Sequence, residues 1–598
     1  LVTADYAALY RSLGLDGKPA QQALAQMSTL APPSGIEGLG SNNWVVAGSH
    51  SETGMPLLAN DPHLKLSAPA LWYFARLEAP GLEVAGATMP GLPVIVLGQN
   101  AHIAWGYTNT ETDVQDLYLE RIKPGDAAQY QTPEGWARFD SHEEIIKVKG
   151  GADVKITVRS TRHGPVISDA GDVAKGLTGS RGPADKPAYA LAMRWTALDP
   201  EVGTIEASMA FNQAKSVAEF VAASAQYVAP MQNMVVADDA GHIAEVSAGR
   251  VPLRSADNEL KGYVPAPGWD ARYDWTGFLE PQLTPRELDP PRGWIATANQ
   301  RIHAPDYPYF LTSEWTLPYR HQRIEQLLAA QPKHSLASLA AIQADVKSLA
   351  TERLLPYLRA AKAEHPLAAA AQRELAGFDG TMAGDKAAPA IFYAWWRHLG
   401  ELILADKLGQ DLFEAEFNRR GFRTGLEGIL ERNDAWWCTA KDQAPAADAC
   451  ARRSGEALKL ALDELQAKLG PDVTAWRWDA LHVARAEHRP FSHVKALAGL
   501  FELREPVGGD TYTINVSRVN LKADATTGEF YLAEHGPSLR ALYDLKDRGA
   551  SRFMHSSGQS GLPFSPWYRE FLKPWGQVGY VPLWGQGMAH QLSLQPAP

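Results

Sequence analysis

The stretch Gly40-Ser41-Asn42-Asn43-Trp44-Val45-Val46-Ala47-Gly48 decides how this chain is read. A residue without a Cβ precedes a serine, two amides follow, and then come β-formers. A serine hydroxyl is a weak nucleophile and needs a base within hydrogen-bond reach. If the Gly40–Ser41 bond is cut, Ser41 carries both groups, because its own α-amine titrates near ~7.7–8.0 and can take the hydroxyl proton. Glycine at position 40 suits self-cleavage, since it tolerates the strained backbone that attack on the preceding carbonyl requires. The dipeptide alone also reads as an ordinary turn before a strand. The rest of the chain has to separate the two readings.

Working outward, the segment before Ser41 is rich in breakers. Pro32-Pro33-Ser34-Gly35-Ile36-Glu37-Gly38-Leu39-Gly40 reads as an exposed, flexible spacer, the kind of place where processing occurs. Tyr6 to Leu15 is weakly helical. Leu1-Val2-Thr3-Ala4-Asp5 carries no basic region, apolar run or cleavage site, and we expect the chain to be part of a longer precursor.

After Ser41 the pattern is strand-like at Trp44–Ala47, 94–98, Ile103–Tyr107 and Val114–Leu119. Ala68–Leu77 reads as a short helix. Ile145–Lys149 with Val154–Val158 forms a half-exposed hairpin, and Met234–Ala244 a hairpin turning at Asp239–Gly241. Ser335 is an N-cap for Leu336, Leu339, Ile342, Val346 and Leu349 at helical spacing, and helices dominate to Leu469. Strand-like pieces return at Thr511–Val516 and Glu529–Leu532, and the tail with Pro563, Pro566 and Pro574 is irregular. Strands, then helices, then strands predict an α+β layered sandwich.

The chain has 598 residues, 45% hydrophobic and 21% charged, with a net charge of −11 and no basic run, which disfavours nucleic acid as a partner. No apolar stretch reaches the ~18 residues of a membrane span. Cys438 and Cys450 flank a loop-like stretch. A disulfide there suits an oxidising compartment, two buried free thiols are the alternative, and their spacing excludes a CxxC metal knuckle.

Ser41-Asn42-Asn43-Trp44, Asn60-Asp61-Pro62-His63, Gly98-Gln99-Asn100, Trp105-Gly106-Tyr107-Thr108, Arg162-His163-Gly164-Pro165-Val166, Gln232-Asn233-Met234, Ala296-Thr297-Ala298-Asn299 and Gly558-Gln559-Ser560-Gly561 occur in that order. Together they resemble the penicillin acylase family of N-terminal-nucleophile hydrolases. The resemblance covers almost everything from Ser41 onward. It implies an αββα sandwich made from an α chain and a β chain cut from one precursor. Residues 1–40 would be the end of the α chain plus spacer. Residues 41–598 would be the β chain, with a helix-rich insertion at about 320–470, and the α chain would be its partner. With the cysteine pair, the resemblance implies a periplasmic or secreted protein.

Roles carry over residue by residue. The resemblance implies an oxyanion held by the Asn299 side-chain amide and the Asn109 backbone N–H, and an amide is apt because it donates without titrating. His63 lies where benzylpenicillin acylases have glutamine, and resembles the histidine of cephalosporin and acyl-homoserine-lactone acylases. It would hold the amine and hydroxyl of Ser41 in place. Arg320 aligns with a family arginine near the active centre, and an exposed helix-start arginine is the competing reading. Asp113 and Asp116, with the Gln115 carbonyl between them, match a calcium site, and Asp306 is a further candidate ligand. Leu64, Val96, Leu97 and Tyr107 fall on acyl-pocket positions, or are merely strand core. The implied activity is hydrolysis of an N-acyl amide, in a β-lactam or an acyl-homoserine lactone, with no organic cofactor.

Two other enzymes and one non-enzyme compete with that reading. A serine hydrolase with an internal triad lacks a G-x-S-x-G elbow, Gly558-Gln559-Ser560-Gly561 coming nearest. A zinc hydrolase lacks H-E-x-x-H, since His142-Glu143-Glu144 has no second histidine in place. An inactive secreted binding protein on the same scaffold needs none of the chemistry.

Overall fold

A computed structural model describes residues 6–13, 15, 40–170, 188–585 and 591–593. The spacer expected before Gly40 lies outside the described residues. The strand around Ser41 runs from Gly40 to Val46 and is buried throughout. It pairs antiparallel with Leu57–Lys65 on one side and Trp294–Thr297 on the other. Beyond Leu57–Lys65 the sheet continues through Leu539–Asp544, Arg552–His555 and Val581–Pro582, with His535–Pro537 pairing at its end.

A second antiparallel sheet runs in the order Arg286–Leu288, Ile243–Ala248, Gln232–Asp238, Ile103–Asn109, Leu97–Asn100, Leu82–Thr88, Tyr73–Ala79. The two sheets meet face to face. Thr108 and Thr297 hydroxyls lie 2.8 Å apart, and Asn60 Nδ2 donates to the Tyr107 carbonyl across the gap at 3.0 Å. A Cβ on Gly106 would come within 2.6 Å of Asn60, so only glycine lets the sheets approach this closely there.

Each sheet is covered outside by helices. Thr204–Gln213 and Val217–Ser224 bury Phe211 and Phe220 on the second sheet, and Phe220 packs on Trp105. Tyr319–Ala329 and Leu336–Gln343 bury Ile324, Leu328, Leu339 and Ile342 against Trp44 and Val46 of the first. Helix, sheet, sheet, helix is the four-layer α+β sandwich expected. Ser335 caps Leu336–Gln343 in a reciprocal box with Ser338. A separate helical core gathers around Ala388–Gly400 and Ala449–Leu469. Cys438 and Cys450 are disulfide-bonded beside it.

Several local expectations fail: the strand expected at 94–98 begins only at Leu97, and the helix after Ser335 ends at Gln343, short of Val346 and Leu349. Tyr73–Ala79 is a strand rather than part of a helix, held by seven paired positions on Leu82–Thr88. Thr511–Val516 is not a strand, because the Asp510 carboxylate and Thr513 hydroxyl capture local amides: Tyr512 and Thr513 N–H donate to Asp510 Oδ1. Glu529–Leu532 is likewise irregular.

Candidate active site

Alternation along the strand pair decides what can touch Ser41. Val45 and Leu58 pack between the sheets, whereas Trp44, Val46, Leu57 and Ala59 pack under the helices. Ser41 shares a face with Val45 and, across the register, with Pro62, Asn60 and Leu64. Its side chain therefore points into the sandwich. Asn42, Asp61 and His63 point to the helix side.

The backbone at Ser41 is gripped tightly. Its N–H donates to Asn299 Oδ1 at 2.6 Å, and its carbonyl accepts from Arg320 Nη1 at 2.9 Å. Arg320 also donates to Asn42 Oδ1 at 2.7 Å and to Asn299 Oδ1 at 3.1 Å. It is buried in the first turn of Tyr319–Ala329 with 1% exposure, so the exposed helix-start reading fails. Asn299 is fully buried at φ 66°, a left-handed conformation that asparagine tolerates better than most residues. Its Nδ2 spends one N–H on the Asn109 carbonyl at 2.7 Å. Asn109 ends Ile103–Asn109 with an exposed side chain. Gly40 is not in the left-handed region. A Cβ there would lie 2.3 Å from Asn299 Oδ1 and 2.5 Å from Arg320 Nη2, so the glycine supplies room rather than backbone freedom.

His63 is corrected in direction. It pairs with Gly40 in register but faces away from the Ser41 hydroxyl. Its Nε2 donates to Asp61 Oδ2 at 2.7 Å, which leaves the lone pair on Nδ1. Burial pulls its pKa down, and Arg320 and Arg540 add to this against the opposing pull of Asp61.

Leu64, Val96, Leu97 and Tyr107 all belong to the large apolar cluster that holds Val45 and Leu58. Gly106 and Thr108 face the first sheet, however, so Tyr107, like Trp105, projects from the other side of its strand toward the helix layer rather than toward Ser41. Leu97 and Tyr107 are buried, Leu64 and Val96 partly so. Tyr107 and Asn109 project from the same side of their strand.

The expected calcium ligands do not fit an ion. Both oxygens of Asp116 are taken by Arg254, Nε to Oδ2 at 2.9 Å and Nη2 to Oδ1 at 2.6 Å, and Trp275 Nε1 adds a bond of 2.7 Å. Arg254 also reaches the Asp113 backbone carbonyl at 3.2 Å. Burial pushes the Asp113 carboxyl up to about 7. Gln115 is exposed at the start of its strand. Among the described residues no group of three or more His, Cys, Asp and Glu side chains could hold a metal, Asp306 included. A guanidinium stands where the cation was expected.

Sequence reasoning gave no role to Asn42, Asp61, Gln343, Tyr580 or Arg254. Strand period pointed to the first two, since it places them beside His63. It also gave none to His163, whose ring nitrogens meet Glu120 Oε1 at 2.7 Å and Asp274 Oδ1 at 2.9 Å while the ring stacks on Tyr118.

Residues 2–589 match the family model described as Penicillin amidase. The acyl-homoserine lactone acylase QuiP of Pseudomonas aeruginosa is 30% identical, over 95% of this chain and 68% of that protein. QuiP of Pseudomonas fluorescens Pf-5 is 32% identical over 94% and 67%. The penicillin acylase 2 proenzyme of Pseudomonas sp. SE83 is 30% identical over 91% and 67%. The solved thermostable penicillin G acylase of Alcaligenes faecalis superposes with a TM-score of 0.68 at 21% identity, covering 93% of this chain and 100% of that one, which establishes a shared fold.

Proposed function

This chain belongs to the penicillin amidase family and is an amidohydrolase, and we propose that it works through Ser41 as a free N-terminal nucleophile. The observation that carries the reading is the grip on Ser41: N–H on Asn299 Oδ1 at 2.6 Å, carbonyl on Arg320 at 2.9 Å. While Gly40 is attached, that nitrogen is an amide donor and cannot serve as a base. Once it is released, the same atom is an amine with a lone pair, held by the same acceptor.

In the proposed cycle, Ser41 Oγ attacks the substrate carbonyl and its proton passes to the α-amine. The developing oxyanion takes the second N–H of Asn299 Nδ2 and the Asn109 backbone N–H. Collapse expels the amine, which receives the proton, and water then releases the acid from the Ser41 ester. Arg320, a fixed cation beside the site, disfavours protonation of the amine and keeps the base available. No step calls for a metal.

The relatives' names point to acyl-homoserine lactones and penicillins as substrate classes. The aliphatic cluster of Leu64, Val96 and Leu97 favours the former. One relative is named a proenzyme. By analogy the mature protein would be a heterodimer of residues from 41 onward with an α chain from the same precursor. The Cys438–Cys450 disulfide is in keeping with a periplasmic or secreted location.

N-terminal sequencing of the purified enzyme tests the proposal. A chain beginning Ser-Asn-Asn-Trp is expected, and Ser41→Ala should leave the precursor uncut and inactive. An alanine variant that matures and turns over substrate would overturn it.

A further inference from the structure

Behind the nucleophile strand lies a closed polar network that the cycle above does not use. Its hub is Asp61, fully buried between the strand pair and the helix layer. Three donors converge on its carboxylate: His63 Nε2 at 2.7 Å, Asn42 Nδ2 at 2.9 Å and Gln343 Nε2 at 3.1 Å. Gln343 in turn accepts from the Tyr580 hydroxyl at 2.5 Å. A helix end and the C-terminal tail are thereby tied to the back of the active strand.

Asn42 is the link forward. Its Nδ2 is used up on Asp61 and on the Ile514 carbonyl at 2.8 Å. The amide is thus fixed with Oδ1 turned the other way, where it accepts from Arg320 Nη1 at 2.7 Å. That same Nη1 holds the Ser41 carbonyl, and Nη2 holds Asn299 Oδ1. Because an amide has a donor end and an acceptor end, a group that fixes one end fixes the other.

We propose that Asp61 is a positioning residue for the reaction, acting through Asn42 to set the Arg320 guanidinium against Ser41 and Asn299. The inference rests on the reading of Ser41 as nucleophile. It also gives His63 a place: through Nε2 the ring is a third donor that holds Asp61 fixed.

Asp61→Asn keeps the shape but turns one carboxylate oxygen into an N–H₂, which must then face a donor. The expected result is a folded, correctly cut enzyme whose kcat falls roughly tenfold to a hundredfold with KM held, as for small misplacement of catalytic groups. Asn42→Ala should show the same loss. The double variant should lose no more than Asn42→Ala alone, because both changes cut one link. Wild-type kcat in Asp61→Asn, or losses that multiply in the double variant, would overturn the proposal. If Asp61→Asn does not accumulate as folded protein, Asn42→Ala alone decides, and an unchanged kcat there overturns it. Ser41→Ala run beside them separates the two failures. An active Ser41→Ala sinks the nucleophile reading, whereas an inactive Ser41→Ala with an unimpaired Asn42→Ala sinks only the Asp61 link.

Discussion

The two faces of one strand pair are built on opposite principles. On the sandwich side, Ser41 shares a face with Val45 and Leu64, members of an apolar cluster that also takes in Leu58 and Leu97, groups that can exchange one partner for another. On the helix side, Asn42 and Asp61 have their hydrogen bonds assigned to named partners, reaching Arg320, Gln343 and Tyr580, and His63 commits Nε2 to Asp61 while its buried Nδ1 meets no partner. Apolar contact is non-directional and tolerates substrates of differing length. A buried polar network is directional and costly to leave half-satisfied, so it holds one geometry. On the proposed reading, the face that would meet substrate is adaptable, and the face behind Ser41 is rigid.

The closed kind of cluster recurs at Asp116, and the most damaging change is expected there. Arg254 and Asp116 form an ion pair with side chains 3% and 4% exposed. Removing one partner of such a pair costs about 3–5 kcal/mol, because the other charge is left buried and alone. Arg254→Met should therefore lower the melting temperature sharply, while a chelator leaves the wild-type melting curve where it was. A chelator-induced drop, with calcium found in the untreated protein, would show that an ion and the guanidinium share the site.

Asn299 sits where the two faces join, its oxygen held by Ser41 and Arg320 and its nitrogen facing forward. Asn299→Ala should lower kcat by roughly 10²–10³ with substrate binding nearly intact, the usual loss for one oxyanion donor. An effect confined to KM would move Asn299 from the transition state to ground-state binding.

These contacts explain what could be read from the sequence. Local signals were legible: the Ser41 strand, the hairpin turning at Asp239–Gly241, and the Ser335 cap each depend on neighbours in the chain. Partners far apart in sequence were not. Arg254 and Asp116 are 138 residues apart, and nothing near either one announces the other. Two aspartates around a carbonyl read as a calcium site, and nothing local announced the guanidinium that takes both Asp116 oxygens. His63 is the instructive case. Its place in the motif suggested contact with the Ser41 hydroxyl, yet counting by two along the paired strands puts it on the other face.

The same burial that closes the back face pulls down the pKa of its histidine, and of others. Burial lowers His482 and His555 to about 4 and His535 to about 3. Their ordinary value is near ~6.5, so as pH falls through that value the unfolded chain takes up protons that the folded chain refuses. Stability is full above about 6.5 and declines until pH reaches the folded values, by on the order of 3 kcal/mol for each of the first two. Denaturant unfolding at pH 7, 5.5 and 4 should show a steady loss. Burial also lowers His63, and on the proposed mechanism the acid limb of the rate profile is assigned to the Ser41 amine. His63→Gln should leave that limb at the same pH, and a shifted limb would give the histidine a proton to transfer.

The smallest effect expected lies on the adaptable face. Leu64, Val96 and Leu97 are aliphatic, without the edge and face preferences by which rings orient one another. Each buried methylene of an acyl chain is worth about 0.8 kcal/mol before ordering costs, or about fourfold in kcat/KM. Selectivity should climb along a series from acetyl to dodecanoyl until the space is filled, with phenylacetyl below the best aliphatic chain. Tyr107, buried at 8% exposure, projects from the other side of its strand, so phenylacetyl is the informative control for whether any ring reaches the acyl group. Leu97→Trp adds bulk on the Ser41 side and should move the optimum to shorter chains while kcat for the shortest is kept. A flat series would mean that these residues are only core. A phenylacetyl optimum would mean that the leucines do not set the preference. Either outcome would confine adaptability to the hydroxyl's immediate neighbours and leave the rigid face as the part of the strand pair that governs catalysis.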